Sequence, residues 1–226
     1  MMKKINYIRQ KQNQSNNFIV DGIEVLIKNS PDPGISVKLA VQRMIKSLPS
    51  HLLTNIKHIY VGTFAELERR KIQAMFKDSS IYITNKQASE SDFLDDLIHE
   101  VAHSVEETHQ NIIYGDKKIE NEFLAKRKKL WFLLKEKGFS VKLDDFMKAE
   151  FDEKLDLLFY KEIGYPILSS ITINLFYSPY ACTSLREYFA NGFEAFFMKE
   201  QVSRLKSVSP ELFNKIVNLQ KGEKNV

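Results

Sequence analysis

Residues 91–105 read SDFLDDLIHEVAHSV, and their period decides the fold of this part of the chain. Phe93, Leu94, Leu97, Ile98, Val101, Ala102 and Val105 recur at helical spacing, which predicts an amphipathic helix beginning near Asp92. Ser91 is the expected N-cap. Asp92, Asp95 and Asp96 suit the positive end of the helix dipole.

Inside this helix stands His99-Glu100-Val101-Ala102-His103. Histidines at i and i+4 lie one turn apart on one face, so both rings can reach one metal ion. Glu100 is then placed to take a proton from water held at that ion. Surface decoration would fit the same letters. However, polar groups that interrupt an apolar helix face cost free energy unless they are used. The chain has 5 histidines, and two of them fall in this frame.

A catalytic zinc site needs a third protein ligand and an open position. Two residues compete for the place. His109 stands where a third histidine follows a glycine turn in one HExxH pattern, but position 106 is Glu, which disfavours the required positive φ. Glu187 opens a downstream helical stretch, EYFANGFEAFF, and offers a carboxylate from a second helix. Asn191, one turn later, is placed to bond a ligand imidazole or to pack between helices. Glu194 reads as a solvated residue or one that supports a ligand, rather than as a ligand itself.

Working outward, FIV-DG-IEVLI over Phe18–Ile27 predicts a hairpin on an Asp-Gly turn. Residues 35–48 predict a helix. IKHIYV (56–61) and SIYIT (80–84) predict strands, and GTFAELERRKIQAMF a loop entering a short helix. Helices are expected over 117–137, 143–162, 187–199 and 210–219, with an irregular apolar segment over 165–182. Residues 1–16 read as a loose polar arm and 17–226 as one domain, an α/β half (17–109) and a helical half (110–226). The fold class expected is therefore α+β.

Composition narrows the function. With 226 residues, 43% of them hydrophobic, the chain can bury a core without disulfides or a structural metal. The single cysteine, Cys182, is expected to be a small buried apolar residue. A net charge of +4 is mild. The run KRKK (126–129) reads as the solvated face of a charged helix, so no nucleic-acid partner is expected. No stretch reaches transmembrane length and the N-terminus has no signal-peptide run. The protein is expected to be soluble, without a membrane partner, cytoplasmic or phage-associated, and monomeric.

HEVAHS together with SPYACTSLREYFANGFEAFF resembles the gluzincin family of the anthrax lethal factor catalytic domain and the Pro-Pro endopeptidases. The specific likeness covers residues 95–105 and 176–200. In that family a Tyr stands seven residues before a metal-binding Glu that aromatics follow. Here Tyr180 precedes Glu187 by seven, and Tyr188 and Phe189 follow. The resemblance implies a zincin-like fold, a small twisted sheet packed on the HExxH helix and then a helical lobe. It implies Zn2+ on His99, His103 and Glu187, Glu100 as general base and Tyr180 as hydrogen-bond donor to the oxyanion. The implied reaction is hydrolysis of peptide bonds in a protein or peptide substrate. The strand Ser80, Ile81, Tyr82, Ile83, Thr84 is expected as the sheet edge that pairs with an extended substrate. Unlike the secreted members of that family, this sequence is expected to carry no signal peptide, and unlike the lethal factor no targeting domains. The competing reading is an inactive zincin-like domain that only binds peptides or a partner protein.

Overall fold

The computed structural model describes residues 17–222. The arm expected over 1–16 lies outside the described residues. The chain divides into two compact units after Thr108.

The first unit holds a mixed five-stranded sheet of order β1-β2-β3-β5-β4, with β1 Phe18–Val20, β2 Ile23–Ile27, β3 His58–Val61, β4 Ala74–Lys77 and β5 Ser80–Ile83. β1 and β2 form the expected hairpin, Asp21 and Gly22 both taking positive φ in the turn. β2, β3 and β5 run parallel. Alternation along the strands buries Ile23, Val25, Ile59, Val61, Ile81 and Ile83. Helix α1 (Val37–Ser47), capped by the Ser36 hydroxyl, adds Val37, Ala40, Val41 and Met44 to the core. Helix α3 (Glu90–Tyr114) adds the whole expected apolar set from Phe93 to Val105. The mixed α+β class read from the sequence is the class observed.

Two expectations fail here. The first turn of α3 is capped not by Ser91 but by Ser89, whose hydroxyl accepts the Asp92 N–H and donates to the Asp92 carboxylate. The strand over 80–84 is not an edge. Helix α2 covers only Ala65–Arg70 and ends at Lys71, which is left-handed. Ala74–Phe76, which closes the stretch read as a loop entering that helix, belongs instead to β4. It folds back on β5 through Asp78 and Ser79, whose φ values of 51° and 56° make a two-residue hairpin turn. β5 is thus hydrogen-bonded to β3 on one side and β4 on the other, and the Thr84 N–H is taken by the Gln73 carbonyl. The sheet edges are β1 and β4.

The second unit is helical: α4 Lys118–Glu136, α5 Leu143–Phe146, α6 Glu153–Leu157, α7 Tyr165–Thr172, α8 Leu185–Phe197, α9 Val202–Val208 and α10 Pro210–Lys221. α4 packs against α5, α7, α8 and α10. α8 and α10 approach so closely that a Cβ on Gly192 would collide with the Leu212 side chain. The single helix expected over 143–162 is broken, because Asp152 caps a new start by accepting the Lys154 and Leu155 N–H groups. A π-helical turn at Leu158–Ile163 then ends at Gly164, where φ is 77°. The segment 165–182 is not irregular throughout: α7 forms with Pro166 in its first turn. No described helix is long and apolar enough to cross a membrane.

The KRKK run is not a solvated face. Lys128 and Lys129 are exposed, but Lys126 and Arg127 are buried. Lys126 Nζ donates to the Tyr188 hydroxyl, the Val208 carbonyl and the Ser209 hydroxyl. Burial brings its pKa down to about 8. Arg127 donates to the carbonyls of Cys182, Thr183 and Asp145. The four positions therefore separate in a stability test. Arg127→Ala should lower the free energy of unfolding by about 3 kcal/mol or more, since it leaves buried carbonyls unpaired. Lys128→Ala should stay within about 0.5 kcal/mol of wild type in urea titrations followed by circular dichroism.

Candidate metal centre

His99 and His103 occupy successive turns of α3, with ring centroids 5.0 Å apart and planes at 80°. His99 is half-buried and His103 buried. Glu100, on the same helix, is only 6% exposed. His103 Nδ1 lies 2.7 Å from Glu106 Oε2, and Glu106 is itself buried. An ionised carboxylate only accepts, so Nδ1 carries the proton and Nε2 keeps its lone pair for a ligand. Glu106 is the residue that sequence reasoning missed. It entered that reading only as the residue that spoils a glycine turn. Its i+3 position from His103 is the signal for its role.

In the second unit, Glu187 lies in the first turn of α8, two residues inside the helix rather than at its start. Ser184 is the N-cap, and its hydroxyl accepts the Glu187 N–H at 3.2 Å. Ser-Leu-Arg-Glu over 184–187 has the capping-box spacing, which also marks the helix start in the sequence. The positive end of the helix favours Glu187 as a carboxylate. Burial raises the Asp156 pKa, and the nearby Glu187 charge raises it further. Burial, with Asp156 adding, raises that of Tyr165 as well.

One ligand atom from each of His99, His103 and Glu187 lies within 4.8 Å of the other two. Two imidazole nitrogens and one carboxylate oxygen are a donor set that could hold a metal ion. His109 belongs to no such group among the described residues. It sits at a break in α3 where the backbone is non-helical, with φ of −123° and ψ of 21°.

The remaining candidates divide. Tyr180 lies in a single 3₁₀ turn, Tyr180–Cys182, after Pro179 and before α8, and is 38% exposed. It is thus outside α8, as its place after Pro179 implies. Asn191 bonds no imidazole: its amide donates to the Glu187 carbonyl at 2.9 Å and its oxygen accepts from the Ser178 hydroxyl. It braces α8 against the Tyr180 segment instead. Two other tyrosines near Glu187 in the sequence have committed hydroxyls. Tyr188 is fully buried and donates to Glu122 while accepting from Lys126. Tyr177 donates to the Glu200 carbonyl. Ser80, Ile81, Tyr82, Ile83 and Thr84 are set aside as a substrate edge because both sides of β5 are already paired. Cys182 is fully buried, and burial pushes its thiol up to about 12. It is a packing residue.

No protein-family model, curated protein or solved structure matches the chain.

Glu106 provides a direct check on the site. Glu106→Gln keeps the volume but weakens the acceptor that orients His103. Zinc affinity, measured by competition with a chromogenic chelator, should fall by about 10- to 100-fold. An unchanged affinity would reduce Glu106 to a packing role.

Proposed function

We propose that this protein is a zinc-dependent endopeptidase of the gluzincin kind, hydrolysing peptide bonds in extended segments of protein substrates. The observation that carries the reading is the joint placement of ligand atoms from His99, His103 and Glu187 within 4.8 Å, with Glu100 on the same helix as both histidines. The resemblance of HEVAHS and SPYACTSLREYFANGFEAFF to lethal factor-like and Pro-Pro endopeptidase-like enzymes supports it.

Zinc, when bound, supplies a Lewis acid that polarises a carbonyl and acidifies water. His99, His103 and Glu187 would hold it. Glu100 accepts a proton from the attacking water and delivers it to the leaving nitrogen. The buried setting of Glu100 keeps bulk water from competing for that proton. Tyr180 donates a hydrogen bond to the oxyanion as charge develops there. Its exposed ring, in a turn ahead of α8, is compatible with reaching a bound peptide. The strands available to pair with an extended chain are the two sheet edges, β1 and β4.

Purified protein should carry about one zinc ion per chain by mass spectrometry of the metal. Glu187→Ala should lose most of it, whereas His109→Ala should not. The reverse pattern would make His109 the third ligand. Glu100→Gln should keep the metal and lose cleavage of a proteome-derived peptide library by about 10²–10⁴-fold. Comparable digestion by both proteins would trace the activity to a contaminant. Tyr180→Phe should keep zinc, stability and KM while kcat falls by about 10²–10³. A kcat within about threefold of wild type would return Tyr180 to a packing role.

A further inference from the structure

Arg204 lines an open pocket of about 370 Å³ in the second unit, with Thr172, Ile173, Phe176, Tyr177 and Pro179 among its neighbours. It is the one charged side chain on that lining. Its Nη2 donates to the Ile173 carbonyl at 2.9 Å and the Phe176 carbonyl at 3.4 Å. Its guanidinium carbon lies 5.2 Å from the centre of the Tyr177 ring. Tyr177 is fixed in turn by donating to the Glu200 carbonyl.

Carbonyls and an aromatic face orient a cation without neutralising it. Among the described residues no carboxylate lies within ion-pair distance of Arg204. Both Nη2 hydrogens are engaged, so the Nε and Nη1 donors and the whole positive charge are available to a ligand. Ile173, Phe176 and Pro179 meanwhile give the pocket apolar walls suited to methylene groups. The occupant with this combination is a short aliphatic chain that ends in a carboxylate.

The pocket also shares a segment with the residues assigned to catalysis. Pro179 on its wall immediately precedes Tyr180. Ser178, also on the wall, donates to Asn191, which donates to the Glu187 carbonyl. We propose that this pocket is a substrate subsite that takes the side chain of a Glu or Asp in the bound peptide, with Arg204 as its specificity-determining residue. The proposal rests on the peptidase reading for its substrate, though not for the pocket's preference for a carboxylate.

The test uses full-length protein labelled at isoleucine methyls and arginine Nε, titrated with three probes. These are N-acetyl-glutamate N-methylamide, its glutamine counterpart, and N-acetyl-alanine with a free terminal carboxylate. The glutamate probe should give saturable shifts at Ile173 and Arg204. The glutamine and alanine probes should give none. Arg204→Gln should weaken glutamate binding by about 10- to 100-fold. Arg204→Lys, which keeps the charge if Arg204→Gln does not fold, should keep a reduced preference for glutamate over glutamine. Equal shifts with glutamate and glutamine, or shifts with the alanine carboxylate instead, would overturn the subsite. A second arm digests a library of amidated peptides. Wild type should enrich an acidic residue at one fixed distance from the cut, and Arg204→Gln should lose that enrichment. Cleavage without any acidic preference overturns the subsite and leaves the peptidase reading standing. Glutamate-specific shifts without any cleavage keep the carboxylate pocket and overturn the peptidase reading.

Discussion

The helical unit depends on one buried guanidinium. Arg127 is fully buried, yet burial brings its pKa only down to about 10, so it stays charged at neutral pH. A charge in that setting must be answered by nearby dipoles. Here they are backbone carbonyls from two separate stretches, Cys182 and Thr183 on one side and Asp145 on the other. The first pair belongs to the turn that carries Tyr180 and leads into the Ser184 cap of α8. Through those carbonyls α4 determines where α8 begins, and so where Glu187 stands within its unit. One helical turn of charged sequence thereby becomes the anchor of the candidate site.

A second network does the same for the far side of α8. Glu122 accepts the N–H groups of Glu211 and Leu212 at the start of α10 and the hydroxyl of Tyr188. Lys126 closes the circuit by bonding Tyr188 and Ser209. The half-buried Glu122 carboxylate and the buried Lys126 ammonium and Tyr188 phenol satisfy one another, and each also ties two helices. Asn191 adds a smaller tie between α8 and the segment before it. Placement of Glu187 is thus overdetermined by polar contacts inside its own unit.

In the sheet unit the corresponding constraint is geometric. An α-helix returns to the same face every four residues, and His99 and His103 use that return. The apolar residues around them hold α3 in the core, so the histidine face cannot rotate away. Glu106 then fixes the tautomer of His103. The placement of β4 outside β5 determines which backbone edge is free. It leaves β1 and β4, and not the strand read as substrate-binding, at the edges of the sheet.

Local periodicity and short-range chemistry by themselves determined the α3 helix, its two histidines, the Asp-Gly hairpin, the strand candidates over 56–61 and 80–84 and the helical character of the second half. Each of these depends on residues within a few positions of one another, and their spacing carries the information directly. The third ligand was legible as one of two candidates, and the resemblance chose between them on a Tyr-to-Glu spacing. Tertiary structure alone decided the rest. Lys126 and Arg127 look like a solvent face because four adjacent cations usually are one. Only the arrival of Cys182, Thr183, Tyr188 and Ser209 from distant parts of the chain supplies the acceptors that make their burial tolerable. β5 became an inner strand because four residues with mixed propensity found a hydrogen-bonding partner across a tight turn. Propensity cannot foresee pairing, since a strand's stability comes from its neighbour and not from itself.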